Sequence, residues 1–205
     1  MDLETIKQEF DRRGVFRAGH FKYASGRHGN VYINKDAIYP ETYLVNTLCQ
    51  TLSDIIWPKY RPEVVVGPAM GGIILSTWLA FWLSEHEKLW SGRHVPSVYA
   101  EKERGGFVLK RGFDKIVAGK SVVIVEDMVT TGASVKKVAE AVREAGGNVL
   151  LAVSLVNRGD VQARDIGVPH FFSLLSIPLP SWQATDCPLC RRGVPIDMDF
   201  GHGAK

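Results

Sequence analysis

Apolar positions recur along this chain with two different periods, and the periods alternate. In LETIKQEFDRRGVF, Ile6 and Phe10 are spaced for one helical face, with Gly14 as a stop. SGRHGNVYIN reads as a turn entering a strand, and ETYLVNTLCQTLSDIIW as a helix closed by Pro58. EVVVGPAMGGIILSTWLAFWL gives strand, glycine loop, helix, and VPSVYA a further short strand. The charged, glycine-bearing segment EKERGGFVLKRGFDKIVAGK predicts a mobile loop or an exposed hairpin. SVVIVE is a strand, and SVKKVAEAVREAGG is a helix whose face carries Val135, Val138, Ala139 and Val142, ending at Gly146. NVLLAVSLVN is the next strand, and HFFSLLSI the last.

Strands alternating with helices predict an α/β fold, a central parallel sheet flanked by helices. Continuously apolar strands such as VVIV agree, because such a sheet is buried on both faces. From Val64 to Ser84 no residue is charged, a length that can cross a bilayer. GPAMGG interrupts it, so the prediction is a buried strand, loop and buried helix, with no membrane partner. The segment PLPSWQATDCPLCRRGVPIDMDFGHGAK is rich in Pro, Gly and Cys and predicts an irregular tail packed on the domain.

Composition changes this picture little. The 205 residues suffice for one domain with a sizeable core, and 45% are hydrophobic, a globular balance. A net charge of +3 does not call for a nucleic acid partner. The start, MDLETIKQEF, does not read as a signal peptide, and nothing points to an oxidising compartment, so a cytoplasmic protein is expected.

The chemistry concentrates in VVIVEDMVTTGAS, Val122 to Ser134. Ligands of open parallel sheets bind beyond the carboxyl ends of strands. Glu126 and Asp127 stand at such an end, and Met128, Val129, Thr130, Thr131, Gly132, Ala133 and Ser134 lead into the next helix. Backbone N–H groups at a helix start hold phosphate, and the hydroxyls of Thr131 and Ser134 add donors. A loop for phosphate alone would avoid acids. Carboxylates accept from sugar hydroxyls and assist Mg²⁺, so a ribose 5-phosphate fits both halves. A plain Ser/Thr cap would explain Ser134 alone, but not the whole string. No G-x-x-x-x-G-K-[ST] occurs, nor G-x-G-x-x-G after a strand.

VVIVEDMVTTGAS resembles the phosphoribosyl diphosphate (PRPP) motif of the type I phosphoribosyltransferases. SGRHGNVYINKD, VVVGPAMGGI and SLVNRGD are similar to further segments of the orotate-using members, over about Phe10 to Arg158. The resemblance implies one phosphoribosyltransferase domain over residues 1–205, with an N-terminal hood segment to about residue 40 and the tail from about residue 178. It implies a glycosyltransferase of pyrimidine biosynthesis: PRPP and orotate give orotidine 5′-monophosphate and diphosphate, with Mg²⁺. Matching positions place PRPP on residues 126–134, orotate on Thr130 and Arg158, and diphosphate beside Ala69, Met70 and Gly71. Lys102 matches a lysine of the family's mobile loop and joins Glu126 and Asp127 as a candidate catalytic group. The family also implies a homodimer in which each mobile loop serves its neighbour's site.

This chain departs from the family in two places. A lysine that precedes SGR in many members is here Ala24, and Lys35 is the candidate to supply its charge to orotate. The mobile loop lacks the family's histidine; Arg104, Lys110 and Arg111 are basic but unaligned. Two other readings stay open: a phosphoribosyltransferase for a purine or another pyrimidine, and a non-catalytic PRPP- or RNA-binding regulator. Cys187 and Cys190 read first as a reduced structural turn; they are also half a zinc site, for which His202 is a candidate third ligand and Cys49 a fourth only if it left the core.

Overall fold

The computed structural model describes residues 1–23 and 25–200. In chain order it contains α1 (Leu3–Arg12), β1 (Phe16–Lys22), β2 (His28–Ile33), α2 (Thr42–Ile56), β3 (Val64–Pro68), α3 (Gly71–Trp90), β4 (Ser97–Glu103), β5 (Gly106–Val108), α4 (Phe113–Val117), β6 (Ser121–Val129), α5 (Ala133–Glu144), β7 (Asn148–Asn157), β8 (Phe171–Ser176), β9 (Ser181–Trp182) and α6 (Pro188–Arg191). These elements fall into two compact units, one spanning Thr42–Ile177 and the other Asp2–Glu41 with the segment from Pro178.

The larger unit is a six-stranded sheet of order β5-β4-β3-β6-β7-β8, parallel except for the edge strand β5. Central β6 shows why: Val122, Val123, Ile124 and Val125 are all fully buried, so both faces are covered. The predicted face of α5 is confirmed, with Val135, Val138, Ala139 and Val142 buried against Val64, Val66 and Ile124. Valine disfavours a helix by at most about 0.7 kcal/mol. Burying its side chain contributes about 1.5–3 kcal/mol, so packing decides the conformation here. Cys49 is a core residue, as expected; its Sγ faces the Leu75 carbonyl oxygen at 3.7 Å, and burial pushes its thiol up to about 12. The Val64–Ser84 stretch is strand, loop and helix as expected, and no described helix is long and apolar enough to cross a membrane.

The smaller unit is built on a three-stranded sheet of order β1-β2-β9. β1 escapes the apolar pattern because a bulge between Ala18 and Phe21 breaks its alternation, leaving only His20 and Phe21 buried. Arg27, from the SGR segment, donates through Nε to Ser181 Oγ at 2.9 Å and so fastens the start of β2 to β9. The predicted irregular tail contains β9, a 3-10 turn over Ala184–Asp186 and the single helical turn α6.

Candidate active site

β6 outruns β3 at its carboxyl end. The β3 pairing stops at Val66↔Ile124, whereas the β7 pairing continues to Val129↔Asn157. The overhang carries Glu126 and Asp127, both buried, at 7% and 5% exposure. Successive strand residues face opposite sides, so the two carboxylates are not equivalent. Glu126 lines a cleft of about 360 Å³ together with Met128 and the loop from Val129 to Val135; Asp127 does not line it. The backbone N–H of Asp127 donates to Glu126 Oε1 at 3.1 Å, which fixes one carboxylate against the chain that carries the other.

The loop is shaped for an anion. Gly132 adopts φ +75° as the N-cap of α5, and no side chain caps that helix, which removes the plain-cap explanation of Ser134. A Cβ on Gly132 would also fall 2.1 Å from Ile166 Cγ2. The close approach that needs glycine is therefore to the protein's own core. Thr130, Thr131, Ala133 and Ser134 are exposed. Ala133 N–H meets Thr131 Oγ1 at 3.4 Å and Lys136 N–H is the first to close a helical turn, onto Gly132, so the N–H groups of Ser134 and Val135 face the start of the helix, at the positive end of its dipole.

Beside this loop, β7 delivers Arg158. Its backbone N–H donates to the Val129 carbonyl at 2.9 Å, and its side chain is buried. Asn157 shapes the turn: its Oδ1 accepts from Gly159 N–H and Val161 N–H, and its Nδ2 donates to the Val161 carbonyl. Gly159 then lies against Thr130, where a Cβ would fall 1.6 Å from the carbonyl oxygen. The predicted orotate contacts Thr130 and Arg158 are thus neighbours. Asn157 and Gly159 were not singled out from the sequence; the N-R-G order after an apolar strand was the available signal.

At the end of β3, Ala69 N–H donates to the Ala100 carbonyl at 2.9 Å, Met70 is 83% exposed, and the Ala69–Met70 peptide is cis. A Cβ on Gly67 would lie 2.1 Å from the Gly72 carbonyl oxygen, so strand end and helix start are in close contact. The charged segment is a hairpin of β4 and β5, with Lys102 opposite Phe107. Phe107 packs on the core that α5 shares, and Lys137 of α5 donates to the Gly105 carbonyl. Lys110 pairs with Glu103 at 3.0 Å and Arg111 with Glu101 at 2.8 Å. Lys102 is exposed and makes no ion pair among the described residues. Lys35 opens a 3-10 turn in the smaller unit; Ala24 and His202 lie outside the described residues.

The phosphoribosyl transferase domain family matches residues 44–183. A protein named orotate phosphoribosyltransferase from Thermotoga maritima is 38% identical over 98% of this chain and all of its own length. Its namesake from Caldanaerobacter subterraneus subsp. tengcongensis is 35% identical over 96% of each chain. The crystal structure of orotate phosphoribosyltransferase from Aeropyrum pernix superposes with a TM-score of 0.67 at 25% identity, covering 83% of this chain and 93% of that one.

Proposed function

This chain belongs to the orotate phosphoribosyltransferases of the phosphoribosyl transferase domain family, and from that premise we propose that it transfers the 5-phosphoribosyl group of PRPP to orotate. The products are orotidine 5′-monophosphate and diphosphate, a step of pyrimidine biosynthesis. The observation that supports the choice of base is the hydrogen bond from Arg158 N–H to the Val129 carbonyl, which holds a buried arginine in the chain next to Thr130 and the anion loop. A guanidinium fork suits the orotate carboxylate, which adenine and hypoxanthine lack.

In this reading the first turn of α5, with Thr131 and Ser134, holds the 5′-phosphate, and Glu126 accepts from the ribose hydroxyls. The anomeric C–O bond breaks with its electron pair leaving on diphosphate, and a ring nitrogen of orotate bonds to the same carbon, its proton passing to the departing diphosphate. Positive charge builds on the ribosyl centre in between, where the carboxylate of Glu126 stabilises it from the cleft and Asp127, on the strand's other face, adds to the field at longer range. The cleft-facing Glu126 is a hard oxygen donor that would fit Mg²⁺ brought in with the diphosphate, directly or through water, and the ion would offset the diphosphate's negative charge. Lys102 and the Ala69–Gly71 loop, whose Met70 is exposed, serve the diphosphate side.

We also propose a homodimer working in the cytoplasm. The outer face of α3 supports the first part: Ile74 and Phe81 are 40% and 48% exposed, and Trp78 stands edge-to-face with Phe81. A base panel with PRPP and Mg²⁺, followed by diphosphate release, tests the activity. Orotate should be preferred. Turnover of adenine or hypoxanthine with none of orotate would transfer the protein to another base. PRPP binding without turnover of any base would favour a regulator.

A further inference from the structure

Four side chains of the smaller unit converge on one point. His20 and His28 come from β1 and β2, Cys187 caps α6 and Cys190 lies within it. Their ligand atoms lie within 4.8 Å of one another. His20 Nε2 is 3.0 Å from His28 Nδ1, 3.5 Å from Cys187 Sγ and 3.6 Å from Cys190 Sγ, and Cys190 Sγ is 3.3 Å from His28 Nδ1. Tetrahedral zinc with ordinary Zn–S and Zn–N bonds has N···N edges of about 3.3 Å and S···N edges of about 3.6 Å. Four of the six edges therefore lie within about 0.3 Å of a tetrahedral zinc site, and all six fall within 4.8 Å.

Local structure explains the convergence. β1 and β2 pair Lys22 with His28, so His20 and His28 are diagonal neighbours on one face of the hairpin. β9 pairs Trp182 with His28, and the chain runs directly from there into Cys187. Cys187 is the N-cap of α6, and the C-x-x-C spacing turns both thiols to one side. After α6 the chain reverses at Gly193, φ +67°, with Gly193 N–H donating to Cys190 and Val194 N–H to Leu189. That reversal brings the Val194 carbonyl to His20 Nδ1 at 2.7 Å.

This last contact decides the chemistry. Nδ1 of His20 carries the proton and donates it to Val194, so Nε2 presents a lone pair. Three further polar atoms crowd that one lone pair, and one donor suffices to satisfy it. His20, His28 and Cys187 are buried, at 2%, 5% and 0% exposure, so four soft donor atoms are gathered at one point largely closed to water. All three cysteines are free thiols. A single cation satisfies all four atoms at once.

We infer that His20, His28, Cys187 and Cys190 form a structural zinc site. Four protein ligands leave no open position, which marks a structural rather than catalytic ion. Two thiolates and two imidazoles at tetrahedral spacing select zinc over the hard cations. The ion would tie β1 and β2 to a segment more than 150 residues later in the chain, and this unit is small enough to need such a staple. Of the four ligands considered from the sequence, Cys187 and Cys190 belong to the set, Cys49 stays in the core and His202 lies outside the described residues; His20 and His28 complete the set.

The test uses the full-length, untagged chain expressed without added metal. Elemental analysis should find about one zinc per chain, and cobalt exchange should give the intense visible bands of tetrahedral Co²⁺ with thiolate charge transfer. A strong chelator should free two thiols to an alkylating reagent, with Cys49 still shielded, and lower the melting temperature. Cys190→Ser should weaken zinc binding by at least a hundredfold. His28→Cys should retain the ion with a stronger thiolate–cobalt band, a gain of signal that a folding defect cannot imitate. A wild-type chain that loses zinc to a weak chelator, or a chelator-treated chain that melts at an unchanged temperature, would overturn the site.

Discussion

Gly159 lies directly against the carbonyl oxygen of Thr130, so that a Cβ on Gly159 would fall 1.6 Å from it. The atom in the way is backbone, which cannot rotate aside. Gly159→Ala should therefore push the Asn157–Val161 turn off the anion loop and move Arg158 with it. The expected result is a fall of at least tenfold in kcat/KM for orotate. Tm should drop by only a few degrees, because Gly159 itself is exposed. PRPP affinity, measured by direct binding, should change much less. Equal losses for both substrates would show that Arg158 does not face the base.

The acidic pair allows a comparison of two neighbours. Glu126 lines the cleft, and Asp127 does not. Asp127→Asn removes a charge held at 5% exposure and should lower kcat/KM for PRPP at least tenfold, about 1.4 kcal/mol. Glu126→Gln should raise the KM for PRPP more than Asp127→Asn does, since the hydroxyl-accepting group faces the cleft. Wild-type kinetics in Asp127→Asn would reduce that residue to part of a turn.

Stability at acid pH has one identifiable contributor at the entrance to the sheet. Glu63 Oε2 accepts from Ser121 N–H at 2.9 Å, and Oε1 meets Lys120 Nζ at 3.2 Å and Arg93 at 3.5 Å. These contacts, the Ser121 N–H foremost, hold its carboxyl below its ordinary value of 4.5. A lowered folded-state value means that the stabilisation is complete above about pH 4.5 and is lost as the pH falls through the lowered value. Glu63→Ala should cost about 1 kcal/mol at pH 7, or roughly 2–4 °C in Tm. The gap from wild type should close in melts toward pH 3.

The sheet was legible in the sequence because β6 and α5 advertise themselves. Val122 to Val125 have no polar interruption, and Val135, Val138, Ala139 and Val142 keep helical spacing. Thr130 and Arg158 could each be named from the chain, but their adjacency could not. It depends on a parallel register, Val129 against Asn157, that no local pattern encodes. The zinc ligands were half legible for a related reason. C-x-x-C is local and visible, whereas His20 sits in a strand whose alternation is broken by a bulge. His28 reaches the cysteines only through β9, a strand of two residues.

The β4–β5 hairpin gives the sharpest test of the diphosphate side. Of its basic residues, Lys110 and Arg111 are paired with Glu103 and Glu101, and Lys102 makes no ion pair among the described residues. Lys102 lies opposite Phe107, which packs on the core that includes the α5 face, and β4 runs parallel to β3, whose end carries the Ala69–Gly71 loop. A lysine serving the leaving diphosphate interacts more strongly as the C–O bond stretches than before, so its loss appears in kcat rather than in KM. Lys102→Ala should lower kcat by on the order of a hundredfold, as for loss of a preorganised electrostatic group. Orotate KM should barely move, and Lys110→Ala, which breaks an exposed ion pair, should cost far less. If sites are shared between two chains, mixing Lys102→Ala with Asp127→Asn subunits regenerates one intact site per mixed dimer and restores part of the activity. An unchanged kcat in Lys102→Ala would assign the role to Arg104 or to a cation released from its glutamate. Confirmed mixed dimers without rescue would place Lys102 and Asp127 in the same chain's site.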